Sequence, residues 1–343
     1  MYKISVIIPV YNAENTLSRS IDSILNQKWE GNILEDIEII LVDDCSTDNS
    51  AGIINKYSKK YDNIKVFSTE KNTGFPSTGR NMGIKFASSD YIMFMDNDDE
   101  YCEDCCQTLF DVITKEQADV VTYNWYNIVG DIINKMELKL NYETDDNYII
   151  FDSFDPIFIN EWWPWKYIYK KSLLVDNNIF FPKKVCEDVF FLGNVLLNMK
   201  KLVYIKDFYG YKRYFRTDSL SAVPNVDVIL KYLNTFFEVE DFLNECFDFD
   251  KFEEYKFYFA RAQIPSNIFK IMYLKRRTDM KICIDKLYEY ESYIKFDNSL
   301  PTSSVVNKII KLINFFILRD YKILTIILMK LCNFISKLRN HSN

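Results

Sequence analysis

Four apolar runs punctuate the first hundred residues, and segments of helical period separate them. Residues 4–10 (ISVIIPV) are apolar almost without a break, as in a strand covered on both faces within a parallel sheet. Leu17, Ile21, Ile24 and Leu25 then recur at i, i+4, i+7 and i+8, one face of a helix. Residues 37–42 (IEIILV), 64–67 (IKVF) and 91–95 (YIMFM) read as further strands, and 119–123 (DVVTY) as a fifth. Ile53, Ile54 and Tyr57 mark one intervening helix face and 77–88 another helix. This alternation predicts an α/β fold with an open, mostly parallel sheet and helices on both faces. Ligands bind such sheets beyond the carboxyl ends of the strands.

Those ends are acidic. The first strand runs out in Pro9-Val10-Tyr11-Asn12, the second in Asp43-Asp44-Cys45-Ser46 and the fourth in Asp96-Asn97-Asp98-Asp99. Carboxylates gathered on one edge repel, so a divalent cation or a cationic partner is expected among them. In Asp96-Asn97-Asp98 two carboxylates two residues apart offer all-oxygen ligation, which suits Mg²⁺ or Mn²⁺ rather than zinc. An isolated triplet of this kind is more often an acidic turn; its place at a strand edge favours the cation. A helix-loop-helix calcium site is excluded, because Tyr101 and Gln107 stand where Gly and Glu are required. Gly74-x-x-x-x-Gly79-Arg80-Asn81 imitates a P-loop but has Arg for Lys and Asn for the metal-binding hydroxyl, which excludes an NTPase. What remains is a helix start with Arg80, suited to phosphate oxygens.

Composition narrows the chemistry further. The one histidine, His341, rules out Ser-His-Asp triads and His-ligated metals. With 49 acidic against 42 basic side chains, a formal charge of −7, no nucleic-acid partner is expected. The 27 Phe and 24 Tyr exclude disorder, and 8 Gly with 8 Pro exclude collagen-like repeats. The eight cysteines follow no framework spacing, and Cys102-x-x-Cys105 has no second pair to complete a zinc site. The chain enters a strand-like run at Ile4, so a cytoplasmic, reducing setting is expected.

Read together, VIIPVYNAENTLSRSIDSILNQ, IILVDDCSTDNS and NTGFPSTGRNMGIKFASSDYIMFMDNDD resemble the family 2 glycosyltransferases of the GT-A fold. Weaker similarity continues through Trp165-Lys166-Tyr167, Phe181-Pro182, Glu187-Asp188-Val189-Phe190-Phe191 and Tyr214-Phe215-Arg216 with Ser219-Leu220-Ser221. The resemblance spans about two thirds of the chain and leaves the last hundred residues outside. It implies a Rossmann-like GT-A domain over 1–225, with a nucleotide half over about 1–100 and an acceptor half over about 101–225. A helical extension over 226–303 and a basic amphipathic helix over 304–343 are expected to follow.

By position in the motifs, the resemblance puts Pro9, Tyr11, Asp43 and Asp44 at the nucleotide, with Tyr11 stacked on the base. Arg80 is implied as the diphosphate contact, Asp98 as the direct metal ligand, and Asp96 as a nucleotide-site residue that supports the metal or the sugar. Asp188 is implied as the catalytic base beside Glu187. It implies transfer of a sugar from a nucleotide donor, expected to be a UDP-sugar, to a hydroxyl acceptor with inversion, in cell-surface polysaccharide or glycolipid assembly. The chemistry is coherent: a base ring offers a face for stacking, a metal and an Arg stabilise a departing diphosphate, and a carboxylate serves as base where no histidine is at hand. Burial beside Phe190 and Phe191 is expected to raise the pKa of Asp188. Rival readings are a nucleotidyltransferase, which lacks its Lys-bearing loop here, and an inactive nucleotide-sugar-binding scaffold.

Two features stay open between readings. Trp162, Trp163, Trp165 and Lys166 either line an acceptor site or belong to the core; Arg216 is a further phosphate candidate. Residues 304–343 carry seven Lys/Arg against one Asp. At 100° per residue, Lys308, Lys311, Arg319, Lys322, Lys330 and Lys337 fall within an arc of about 100°. Their longest uncharged runs, 312–318 and 323–329, are short of the ~20 residues of a membrane span. Such a helix either lies on an anionic membrane, peripheral on its inner face, or packs against the protein or a second subunit.

Overall fold

In the computed structural model every expected strand forms. In chain order these are β1 (Ile4–Val10), β2 (Ile37–Asp43), β3 (Ile64–Ser68), β4 (Tyr91–Phe94), β5 (Glu100–Tyr101), β6 (Val120–Val129), β7 (Ile132–Met136), β8 (Tyr148–Phe151), β9 (Tyr167–Lys170) and β10 (Leu202–Tyr214). The helices are α1 (Leu17–Leu25), α2 (Ile33–Asp36), α3 (Ser50–Lys60), α4 (Pro76–Phe86), α5 (Cys105–Lys115), α6 (Lys171–Asp176) and α7 (Glu187–Asn198). The structure describes residues 1–215 except 139, 141–143, 154, 156, 157, 159, 160 and 185. Beyond 215 it describes scattered positions between 226 and 274 together with 277–288. The chain divides into two units, Met1–Phe215 and Arg216–Asn343.

The sheet of the first unit runs β3-β2-β1-β4-β9-β6-β10-β5, with β7 on β6 and β8 on β10. Parallel pairing covers β3-β2-β1-β4, the strands linked by helices, and recurs between β6 and β10. Between these blocks β9 is antiparallel to both β4 and β6. It enters from the 3-10 turn Pro164–Lys166, and among the described residues no α-helix lies between β6 and β9, whereas parallel pairing needs a crossover. The sheet is therefore mixed beyond β4.

Both faces are covered. On one, Leu17, Ile21 and Ile24 of α1, Ile54 of α3 and Leu109 of α5 pack against Val6, Ile8, Ile39 and Val121. On the other, Ile84 of α4 and Phe191, Leu192 and Val195 of α7 pack against Ile7, Ile40, Phe94 and Tyr169. Every β1 residue is buried, at about 1.5–3 kcal/mol for each large aliphatic side chain. Glycine sets the approach of α4. A Cβ on Gly83 would stand 2.3 Å from Ile7 Cγ2, and one on Gly79 3.0 Å from Pro9 Cβ. Neither position has room for a side chain without movement.

In the second unit, Arg277–Tyr288 is a helix with Met280, Cys283 and Ile284 buried at helical spacing. Among the described residues no helix is long and apolar enough to cross a membrane. The expected basic helix over 304–343 and Arg216 lie outside the described residues, as do Ser219, Leu220 and Ser221.

Candidate active site

The acid loop after β4 forms where the ladder is interrupted. The N–H of Met95 still donates to the carbonyl of Ile7 at 3.0 Å. Two residues on, Pro9 has no N–H to offer the same side, and the chain leaves the ladder. The side-chain amide of Asn97 donates instead to the Pro9 carbonyl at 2.9 Å. The 96–99 loop is thereby hung from the end of β1. On the other side of β1, the N–H of Asp44 donates to the Val10 carbonyl at 2.8 Å.

Asp43 and Asp44 then diverge. Asp43 accepts from the N–H and hydroxyl of Ser46. Asp44 accepts from the N–H and hydroxyl of Thr73 at 2.9 and 3.0 Å and from the Thr69 hydroxyl at 2.8 Å, tying the loop before α4 to the end of β2. Tyr11 is 46% exposed at the rim. Its neighbour Asn12 has φ +47° and accepts the N–H of Thr47 at 2.8 Å. Cys45, beside Asp44, and Cys186, before Glu187, are also left-handed, with φ +58° and +57°. Left-handed backbone at non-glycine residues costs of order 1–3 kcal/mol and clusters at functional sites.

The site is drawn together by Arg80 on α4, whose side chain is almost wholly buried. Its Nη2 donates to Asp96 Oδ1 at 2.9 Å, and its Nη1 to Asp188 Oδ1 at 2.8 Å and Glu187 Oε1 at 3.2 Å. One guanidinium thus joins the loop after β4 to the first turn of α7, where the helix dipole favours acids. Asp96 and Asp188 keep 35% and 30% of their side chains open, against 12% for Glu187. Burial raises the pKa of Asp188 well above the carboxylate range, and the like charges of Glu187 and Asp96 add to this while Arg80 opposes it. Burial also raises Glu187, with Arg80 again opposing. Burial works against the charge on Arg80, but the carboxylates of Asp188, Asp96 and Glu187 outweigh it and raise its pKa. Three acids share one cation, which favours retention of a proton by the acid pair.

The far side of the acid loop is held by residues that no local motif announces. Asp99 is buried and accepts from the Tyr211 hydroxyl at 3.0 Å and the Tyr214 N–H at 2.8 Å. Tyr211 also accepts the N–H of Asp96 at 3.2 Å. Arg19 of α1 donates to the Asp98 carbonyl at 2.5 Å, pairs with Glu100 at 3.0 Å and lies 3.9 Å from the centroid of Tyr214. Among the described residues no cluster of three or more His, Cys, Asp or Glu is placed to hold a metal. Asp96 and Asp98 are all-oxygen donors, the type that Mg²⁺ or Mn²⁺ takes, and Asp96 is 35% open.

The acceptor-lining expectation for Trp165 and Lys166 is corrected. Both are buried. Trp165 stacks on Tyr211 with centroids 4.2 Å apart and 7° between planes. Lys166 pairs with Glu161, its ammonium 4.6 Å from the Trp125 ring centroid. The 3-10 turn before β9 carries both inward, Trp165 onto Trp125 and Tyr211 and Lys166 onto Glu161 and Trp125. Pro9 is likewise buried, its ring against Gly79 and its carbonyl engaged by Asn97. Arg80 faces three carboxylates rather than an open phosphate cradle. Sequence reasoning missed Asn81 and Ser77, which reach the backbone at Phe181 and Pro182, together with Asp99 and Tyr211. For the first two the signal was present, as polar residues at i and i+4 on a helix that otherwise packs on the sheet.

The family described as "Glycosyl transferase family 2" matches residues 5–183. Poly(ribitol-phosphate) beta-glucosyltransferase of Bacillus spizizenii is 37% identical over 227 residues, 65% of this chain and 34% of that protein. Poly(ribitol-phosphate) beta-N-acetylglucosaminyltransferase TarS of Staphylococcus aureus is 29% identical over 270 residues, 73% of this chain and 45% of that protein. The chain therefore spans between a third and a half of the length of these relatives. The crystal structure of S. aureus TarS 1-349 in complex with UDP-GlcNAc superposes with a TM-score of 0.65 at 20% identity, covering 96% of this chain and 90% of that one.

Proposed function

The chain belongs to glycosyltransferase family 2 and has its GT-A fold, and from that premise we propose that it transfers glucose or N-acetylglucosamine from a UDP-linked donor to a hydroxyl of a polyol-phosphate polymer at the cell surface, with inversion. The observation that carries this reading is the bridge of Arg80 between Asp96 and Asp188. It ties an acid of the strand-end loop to an acid of the first turn of α7 through one guanidinium, which supports one acid at the leaving group and the other as base. Sugar and polymer are drawn from the relatives, one described as a beta-glucosyltransferase and one as a beta-N-acetylglucosaminyltransferase, both of poly(ribitol-phosphate).

In this mechanism Tyr11 supplies the exposed ring for the base, and Asp44 shapes the loop that receives the nucleotide. Asp98, with Asp96, would hold Mg²⁺ or Mn²⁺, which would stabilise the charge developing on the diphosphate. Asp188 takes the proton of the attacking hydroxyl; burial raises its pKa and so strengthens it as a base. Arg80 opposes the rise in the Asp188 pKa and aligns its carboxylate. The six described cysteines are free thiols, in keeping with a reducing, cytoplasmic setting. The basic stripe over 304–343 suits an anionic membrane surface; deletion of 304–343 abolishes liposome binding if the stripe is the contact.

The test is Asp188→Asn, assayed for UDP release from UDP-glucose and UDP-N-acetylglucosamine with Mn²⁺ and poly(ribitol phosphate), with UDP affinity measured alongside. Transfer is lost and UDP binding persists. Equal loss of both moves Asp188 to a structural role.

A further inference from the structure

The first turn of α7 carries the candidate base, yet most of what pins it is on α4. Asn81 donates its side-chain N–H to the Phe181 carbonyl at 2.8 Å and accepts the Phe181 N–H at 2.9 Å. Both backbone polar groups of one residue are thus held by a single amide. One turn earlier on α4, Ser77 donates to the Pro182 carbonyl at 2.9 Å. The Phe181 ring lies 5.1 Å from the Arg80 guanidinium and stacks on Phe191 of α7, with centroids 3.8 Å apart and 8° between planes. Ser77, Arg80 and Asn81 sit at i, i+3 and i+4, one face of the helix. Gly79 and Gly83 seat that helix against β1.

These contacts differ in kind. Arg80 holds Glu187 and Asp188 by charge, a charge it shares with Asp96. The same three carboxylates repel one another. The amide of Asn81 and the hydroxyl of Ser77 are neutral and grip backbone, so their hold is indifferent to ionisation. The body of α7 is seated separately by Phe191, Leu192 and Val195 in the core. The neutral contacts thus act at Phe181 and Pro182, ahead of the helix, and the apolar contacts act along its body.

We propose that Asn81, assisted by Ser77, is a positioning residue for the reaction: a charge-independent clamp that holds the backbone before α7 to α4 and so keeps Asp188 at its station against the repulsion of its neighbours. This rests on Asp188 being the base, and the experiment separates the two claims. Asn81→Ala, the milder Asn81→Ser, Ser77→Ala and Asp188→Asn are compared for kcat of UDP release from UDP-N-acetylglucosamine and UDP-glucose, for UDP affinity with Mn²⁺, and for Tm. Misplacement of a catalytic group by about 1 Å costs about 100-fold, so Asn81→Ala lowers kcat about 10–100-fold and Ser77→Ala by less, while UDP affinity stays within about 2-fold. Unchanged kcat in the Asn81 variants overturns the proposal. So does a UDP affinity that falls in step with kcat and Tm, which is the pattern of a merely structural residue. If Asn81→Ala does not fold, Asn81→Ser and Ser77→Ala carry the same comparison. Retained transfer in Asp188→Asn refutes the base assignment itself. Loss in Asp188→Asn with wild-type kcat at Asn81 refutes only the clamp.

Discussion

Replacing Arg80 by Gln removes the cation that, among the described residues, is shared by Asp96, Glu187 and Asp188 while keeping a hydrogen-bonding side chain. The Nη1–Oδ1 distance of 2.8 Å to Asp188 puts the charge centres about 4 Å apart, and at an effective dielectric of about 20 the attraction lost there is about 4 kcal/mol. The open third of Asp188 discounts this through solvent screening. Breaking a buried ion pair by removing one partner costs about 3–5 kcal/mol, so Arg80→Gln is expected to lower stability by a few kcal/mol. The pH dependence follows from the direction of the shifts. Glu187 and Asp188 hold protons in the fold at pH values where the unfolded chain has lost them. Their contribution is therefore most favourable below the unfolded carboxylate pKa and declines as pH rises towards the raised folded values. Without Arg80 the folded values rise further. The melting temperature of the variant then falls more steeply with pH than that of the wild type, and the acidic limb of kcat/KM moves to higher pH. Arg80→Lys keeps the charge but not the fork, and restores the stability profile more than the rate. Profiles of Tm and kcat/KM against pH that superpose on the wild type refute the description of Arg80 as the hub of the acid cluster.

Other outcomes follow from contacts elsewhere around the site. Gly83→Ala drives a methyl to 2.3 Å from Ile7 Cγ2 and is expected to lower stability by about 1–3 kcal/mol in denaturant unfolding; an unchanged midpoint refutes the close seating of α4. Tyr211→Phe removes the hydroxyl that bridges Asp99 and the Asp96 N–H but keeps the ring on Trp165. It weakens Mn²⁺-dependent UDP binding several-fold in calorimetry and leaves metal-free UDP binding as it was. Asp44→Ala deprives Thr69 and Thr73 of their shared acceptor; UDP affinity falls about 10-fold with or without metal, and an effect confined to the metal-bound state contradicts a role of Asp44 in shaping the nucleotide loop.

Much of the fold was legible because it is written in short-range pattern. The run ISVIIPV and its counterparts in β2, β3 and β4 are apolar over a few consecutive residues, and a strand covered on both faces demands little more. The helical faces of α1 and α3 were equally local, as was the acidic character of the strand ends. The charged interruption in IEIILV shows the limit of such reading. Glu38 is fully buried, and only the packed sheet supplies its partners: Lys65 from β3, Ser5 from β1 and Ser88 after α4. The aromatic segment around Trp165 reads equally well as a sugar platform or as core, because exposure is not a property of a heptapeptide. Insertion of β9 between β4 and β6 decides for the core.

The sequence alone determined where strands end and that acids collect there, since each of those facts depends on residues within a turn or two of one another. Tertiary structure alone decided what the acids do. Arg80 and Asp188 stand 108 residues apart in the chain, and no periodicity relates them. They meet because Gly79 and Gly83 let α4 lie close on β1 and because Phe191, Leu192 and Val195 draw α7 onto the same face. A side chain that looks from its motif like a phosphate ligand becomes the centre of an acid cluster for that reason: packing, which sums many weak contacts over the whole chain, sets the partners that a local pattern leaves open.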